Sequence, residues 1–278
     1  MAGTLYVVGT PIGNLGDLSP RALQTLRDVD FIAAEDTRVT LKLLNHFSIK
    51  KPLISYFEHN KLQRGDVICT RIESGENCAL VTDAGMPAIS DPGEDLVRQC
   101  AQRGIQAIVV PGPSAVVSAL ALSALPTGRF TFEGFLSMNK KNRREHLAQL
   151  KEETRTMVFY EAPHKLSHTL ADLYQTFGDR RLSIVRELTK VHEQVIRTTL
   201  KDAVQRYAQD PLKGELVLII EGKPQERPQP CPFDQALLLA QEYTQQGMST
   251  SEAAKTAAKF TGLKKGDLYK ALQNGKQP

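Results

Sequence analysis

Residues 78–95 read CALVTDAGMPAISDPGED: a short apolar run, a turn-rich loop, then the acidic first turn of a helical pattern that continues to residue 102. The apolar run is strand-length and bounded by turn residues, which fits a buried strand better than a helix segment. Asp83, Gly85, Pro87, Asp91, Pro92 and Gly93 then place two carboxylates and unusual turn chemistry within eleven residues. Open α/β sheets bind ligands beyond the carboxyl ends of their strands. A loop this dense in such residues is therefore expected to form part of a site.

The same grammar recurs outward from this stretch. LYVVG (5–9), FIAAE (31–35), AIVVPG (107–112), TMVFYE (156–161), LSIVRE (182–187) and LVLIIEG (216–222) read as further buried strands, and a new set begins near Phe130. Helix-period segments at 20–27, 94–102 and 113–122 lie between several of them. That alternation predicts an α/β fold with largely parallel sheets under covering helices. GTPIGNLGDL (9–18) and PGPSAVV (111–117) are two more Gly/Pro loops that follow strands and precede helices, whose first amides can receive a ligand oxygen. GTPIGNLG lacks the GxGxxG spacing and has Pro11 where the tight turn would lie, so a nicotinamide cofactor is disfavoured.

A chain of 278 residues outgrows one ordinary core. Three regions are expected: an α/β domain over 1–113, a second α/β domain over 114–222, and a linker with a helical tail over 223–278. The prolines of KPQERPQPCP (223–232) mark the linker. In the tail, 233–245 is one amphipathic helix pattern, and two shorter ones flank Gly262, with Ser249 or Thr250 as the N-cap. A helix-turn-helix and a small helical cap on the body both fit this pattern.

The formal charge of +4 is unevenly spread: −2 over 1–113, +3 over 114–222 and +3 over 223–278. This is compatible with a polyanionic partner. Four widely spaced cysteines with no CxxC pair fit neither a zinc site nor a disulfide framework, and His59 and His164 have no ligand spacing, so no metal is expected. No apolar stretch reaches membrane-span length and the N-terminus lacks a basic signal region, which points to the cytoplasm. NKKNRREH (139–146) places Lys140, Lys141, Arg143 and Arg144 within five positions. That density suits phosphate contacts, and equally a solvated helix face.

Seven ordered segments carry a resemblance: TPIGNLGDLSPRAL (10–23), IAAEDTR (32–38), VTDAGMPAISDPG (81–93), PGPSAVVSALALSALPTGRFTFEGFL (111–136), FYEAPHK (159–165), RELTKVHE (186–193) and KGELVLIIEG (213–222). Together they resemble the ribosomal RNA ribose methyltransferase branch (RsmI family) of the tetrapyrrole methylase superfamily. The resemblance implies two α/β domains with S-adenosylmethionine in the cleft between them. It also implies methyl transfer to a cytidine 2′-oxygen of small-subunit rRNA, the small ribosomal subunit as partner, and a homodimer. Carried over position by position, it assigns cofactor contacts to Pro11, Asp83, Gly85, Ala88, Ser114, Ala115, Tyr160, Leu188 and Thr189. Departures from the family pattern are Met86 and Ser137 in place of Thr and Pro, Ala124 in place of Gly and Lys165 in place of Arg; Met86 is the one able to reshape the cofactor pocket.

Such a reaction needs the acceptor oxygen aligned with the methyl–sulfur bond and a group to take its proton. Asp36, at a strand end in AEDTR, is the leading base; an ion pair with Arg38 or a helix N-cap is the other role open to it. Lys190 in RELTKVHE is a second candidate, as proton acceptor or phosphate contact. Arg38 has the fork geometry for phosphate, and joins Lys140, Lys141, Arg143 and Arg144 as an expected RNA contact. Two alternatives stay open: a precorrin-type tetrapyrrole methyltransferase, against which IGNLGDLSPRA, EDTR and EAPH weigh, and a non-enzymatic nucleic-acid-binding module using the tail.

Overall fold

A computed structural model of the chain describes residues 1–209, 212–224 and 231–274. It divides into two compact units, Met1–Lys223 and Pro224–Pro278. Residues 225–230 of the expected linker lie outside the described residues.

Unit 1 opens with β1 (Thr4–Val8), α1 (Pro20–Asp28), β2 (Phe31–Ala34), α2 (Thr37–His46), β3 (Leu53–Ser55), α3 (Lys61–Glu73), β4 (Cys78–Val81), α4 (Gly93–Gln102), β5 (Gln106–Val110) and α5 (Ala115–Leu122). Its five strands form a wholly parallel sheet in the order β3-β2-β4-β1-β5. The inner strands β2 and β4 are buried along their whole length, which is why they read as continuous apolar runs. Ser19 caps α1 by accepting from the Ala22 N–H, with Pro20 at the first helical position, where a missing N–H costs nothing.

The second sheet is built from β6 (Phe130–Phe135), α6 (Lys140–Leu150), β7 (Thr156–Glu161), α7 (Leu166–Phe177), β8 (Arg181–Arg186), β9 (Gln194–Thr199), α8 (Leu200–Tyr207) and β10 (Leu216–Ile220). Its order is β6-β7-β10-β8-β9. The expectation of largely parallel sheets fails here: only β6–β7 is parallel, and the other three pairings are antiparallel. Residues 187–193 between β8 and β9 are too few for a crossover, which needs a dozen or more, so the chain turns back as a hairpin. Residues of α5 share a core cluster with this sheet: Val116, Ala119 and Leu120 pack with Val158, Val185, Val217 and Ile219, and Ile12 from the loop after β1 joins them. The two sheets thus meet where the loops after β1 and β5 end.

Unit 2 consists of α9 (Phe233–Gln245), α10 (Thr250–Thr261) and α11 (Lys265–Asn274). Small side chains let these helices approach closely, with Ala236, Ala240, Ala253, Ala254 and Ala257 buried against Leu268 and Leu272. Ser249 and Glu252 form a reciprocal capping box, and Gly262 ends α10 in the left-handed conformation at φ 73°. Among the described residues no helix is long and apolar enough to cross a membrane.

Candidate functional site

The loops leaving β1, β4 and β5 and the turn after β8 wall a cavity of about 340 Å³, lined among others by Ile12, Asp83, Asp91, Ala115, Tyr160 and Leu188. A recess of about 60 Å³ with the same Ile12, Ala115 and Tyr160 walls adds Gly85, Met86 and Ser114. Together they fall within the range of small-molecule sites, roughly 300–1,000 Å³. The neighbouring positions of β1 and β4 bring their loops side by side. Thr10 N–H donates to the Gly85 carbonyl at 2.9 Å, and Gly85 N–H donates back to Thr10 at 3.1 Å.

The backbone around the cavity is unusual. Gly85, Ala88 and Ser90 all have positive φ, and Asp91 Oδ1 holds that loop by accepting from Ala88 N–H at 2.9 Å and Gly93 N–H at 2.8 Å. In the turn after β8, Glu187 and Thr189 are left-handed at φ 51° and 65°. A β-branched residue there is a true outlier, and strain of this kind persists only where the surroundings enforce it. The enforcement is visible: Thr189 N–H donates to Glu193 Oε2 at 2.6 Å, while Glu187 Oε1 accepts from Glu215 N–H at 2.9 Å and Lys190 Nζ at 3.0 Å. Thr189 Oγ1 is buried with no hydrogen-bond partner among the described residues.

Five carboxylates, Glu35, Asp83, Asp91, Glu161 and Glu215, interrupt a cavity wall that is otherwise mostly apolar. Burial, reinforced by the Glu35 charge, pushes the Asp83 carboxyl up from its ordinary value, and burial pushes Asp91 up as well. Tyr160 closes one side, edge-on to Phe132 with ring centres 4.9 Å apart and tilted against Phe135 at 5.4 Å, and burial raises its phenol.

Asp36 occupies the other role open to it. Its carboxylate caps α2 by accepting from Arg38 N–H at 2.8 Å and pairs with the Arg38 guanidinium at 2.6 Å. The Arg38 hydrogen bonds hold it down to about 2, a poor setting for a proton acceptor near neutral pH. For Lys190, burial pulls down, but its hydrogen bond to Glu187 and the Glu215 charge outweigh it and leave the ammonium raised. That favours a charge contact over proton acceptance.

Of the expected cofactor residues, Asp83, Ala115, Tyr160 and Leu188 line the main cavity, and Gly85 and Ser114 the recess. Ala88 lies on the loop held by Asp91, and Thr189 follows Leu188 in the strained turn. Pro11 instead lines a second cavity of about 360 Å³. Met86, the departure able to reshape the pocket, lines the recess.

Arg143 differs from its basic neighbours: only 7% exposed, it donates to Asp172 Oδ2 at 2.5 Å and to Thr169 Oγ1 at 2.9 Å, so its guanidinium is engaged within the body of the protein. Lys140, Lys141 and Arg144, on the outer face of α6, are exposed, as is Arg38. Glu161 was missed by sequence reasoning. It accepts from Ala162 N–H at 2.8 Å and from the Thr169 hydroxyl, the oxygen that Arg143 also reaches. Its place at the end of the TMVFYE strand, beyond which ligands bind, was the available signal. Glu215, before β10, carried none.

Several features fit a cationic sulfonium cofactor. The cavity carboxylates would balance its charge, and the orphaned Thr189 hydroxyl awaits a partner. Ser114 precedes α5 without using its side chain as a cap, which leaves that helix start open to a ligand oxygen.

Residues 4–204 match the family model described as Tetrapyrrole (Corrin/Porphyrin) Methylases. Among curated proteins, "Ribosomal RNA small subunit methyltransferase I" of Synechocystis sp. is 46% identical over 96% of each chain. The protein of that name from Xylella fastidiosa is 47% identical over 96% of this chain and 98% of its own. The Thermotoga maritima protein, 48% identical, is matched over 99% of its length by 80% of this chain. Two solved structures have the same fold: the methyltransferase CobJ, with TM-score 0.61 and 17% identity over 81% of this chain and 97% of its own, and uroporphyrin-III-C-methyltransferase from Thermus thermophilus, with TM-score 0.56 and 19% identity over 80% and 94%.

Proposed function

This chain belongs to the tetrapyrrole (corrin/porphyrin) methylase family, and from that premise we propose that it methylates small-subunit ribosomal RNA, moving the methyl group of S-adenosylmethionine to the ribose 2′-oxygen of a cytidine. The observation that carries this reading is end-to-end identity of 46–47% to proteins named for that rRNA activity. A cofactor supplying an already activated methyl group leaves the protein to bind, orient and remove a proton. Ser114 and Ala115 at the start of α5, Gly85 on the loop after β4, and Tyr160 and Leu188, all lining the cavity or its recess, are the residues to hold it, with Ala88 and Thr189 on the adjoining loops and the cavity carboxylates opposite its charge. Arg38, Lys140, Lys141 and Arg144 are exposed cations for the RNA backbone, and a cytoplasmic location is part of the same proposal. Calorimetry tests the cofactor directly. S-adenosylmethionine and its demethylated product should both bind, and absence of binding by either removes the methyltransferase reading.

The strained turn gives a sharper test. Thr189→Gly should stabilise the fold by about 1 kcal/mol through relief of its left-handed conformation. The same change should weaken S-adenosylmethionine roughly fivefold, since a hydrogen bond worth about 1 kcal/mol is lost. Thermal unfolding and calorimetry read the opposed signs, and a variant weakened in both would show that the hydroxyl serves the fold.

A homodimer is part of the same proposal. β5 is the outer strand of its sheet, with Gln106, Ala107 and Val109 exposed, and Val117 on α5 is 58% exposed. An open apolar edge of this kind invites pairing with a second chain. Val109→Lys is expected to turn a dimer into a monomer in light scattering; an unchanged mass would place the interface elsewhere.

A further inference from the structure

Beside the cofactor cavity lies a second one of about 360 Å³, formed by Thr10, Pro11, Gly13 and Leu15 from the loop after β1 and by Val39, Lys42, Leu43 and His46 from α2. The two cavities have two residues in common, Thr82 and Asp83. Thr82 is occupied: its hydroxyl donates to Glu35 Oε2 at 2.6 Å and its carbonyl accepts from Thr10 Oγ1 at 3.3 Å. Asp83 is therefore the one ionisable group among the described residues that faces both spaces. Its Oδ1 accepts only from the Asp36 N–H, at 3.0 Å, and Oδ2 has no hydrogen-bond partner among the described residues.

The chemistry of the second cavity is that of a nucleotide site. Leu15, Val39 and Leu43 offer an apolar wall for a base, and Lys42 and His46 stand one helical turn apart, both exposed. The Lys42 ammonium has no ion pair or hydrogen bond among the described residues, whereas Lys190 near the other cavity is held by two carboxylates. An unneutralised cation on a cavity rim suits a phosphate. The volume suits one unstacked nucleotide, the form in which single-stranded RNA is read.

We propose that this second cavity receives the acceptor nucleotide of the RNA, with Lys42 and His46 on its phosphate, and that Asp83, at the wall between the cavities, is the carboxylate facing the 2′-hydroxyl. The inference rests on the methyl-transfer reading above. In the step, the 2′-oxygen bonds to the methyl carbon while the carbon–sulfur bond breaks with its electron pair left on sulfur, and the hydroxyl proton passes to the Asp83 carboxylate. The surroundings suit that part: burial and the Glu35 charge make Asp83 more basic than an ordinary carboxylate, whereas Asp36 is made far less so by Arg38.

The test uses the full-length protein with S-adenosylmethionine and small ribosomal subunits lacking methylation. Lys42→Glu, a change at an exposed position, is expected to raise KM for subunits at least tenfold and leave S-adenosylmethionine affinity within twofold. Asp83→Asn, which preserves the acceptor for Asp36 N–H, is expected to lower kcat about 100-fold or more at saturating S-adenosylmethionine, and Asp83→Glu to recover part of it. An unchanged KM in Lys42→Glu overturns the cavity assignment. An Asp83→Asn rate restored by excess cofactor makes Asp83 a cofactor contact and overturns its part in proton removal. A wild-type protein that methylates nothing overturns the reading beneath, which is a different failure from inert variants beside an active wild type.

Discussion

Arg143→Met is expected to lower unfolding free energy by about 1–3 kcal/mol, since Arg143 is buried while its partner Asp172 keeps a 27% exposed side chain that water can reach. Asp172 loses the guanidinium at 2.5 Å, and the Thr169 hydroxyl loses a donor while still bound to Glu161 at the cavity wall. The damage should therefore reach the site through the Glu161 carboxylate, with weaker cofactor binding accompanying the loss of stability. The neighbouring triple substitution of Lys140, Lys141 and Arg144 by Ala should do the opposite. These side chains are exposed, so stability should change little, while affinity for the RNA substrate falls and its salt dependence becomes shallower. Denaturant unfolding and binding at two ionic strengths separate the cases, and an Arg143→Met protein of wild-type stability would show that the buried pair contributes nothing.

The second large effect is expected at Gly9. A Cβ there would lie 2.7 Å from Gly112 Cα and 2.8 Å from Gly112 N, backbone atoms that have no side-chain freedom to move aside. The two glycines let the ends of β1 and β5 run together just where both cavity loops depart. Gly9→Ala should destabilise the protein by about 1–3 kcal/mol, as overpacking does. It should also weaken S-adenosylmethionine at least tenfold, because the loop after β1 and the start of α5 are pushed apart. Retained affinity would show that the loops are positioned by contacts other than this one.

Much of the fold was legible because strands buried on both faces leave an unambiguous trace. CALV, FIAA and LVLII are apolar throughout since both their faces are covered. The tail was equally plain, for Ser249, Glu252 and Gly262 perform local capping chemistry that owes nothing to tertiary context. The direction of the second sheet was not legible. β9, QVIRTT, is a half-exposed edge strand with mixed polarity, and without it the hairpin that reverses the chain is invisible. Pairing order is a long-range property, and β10 lies between β7 and β8, neither of which is its neighbour in the sequence.

The site divides along the same line. Loops rich in Gly, Pro and Asp announce themselves: Asp83 and Tyr160 line the main cavity, and Gly85 and Ser114 line the recess that shares Tyr160 with it. The state of each charge was a matter of partners far apart in sequence. Arg143 looks like its basic neighbours until Asp172 and Thr169 are brought against it, and Asp36 looks like a base until its carboxylate turns to α2. Asp83 gained a second face only when α2 closed another cavity behind it.

The most direct test of methyl transfer to RNA is to incubate the purified protein with S-adenosylmethionine labelled in its methyl group and with small ribosomal subunits lacking methylation, then to map the labelled atom. Label confined to the ribose 2′-oxygen of one cytidine is the expected result. Label on a base, or none on subunits alongside transfer to a tetrapyrrole, would contradict it.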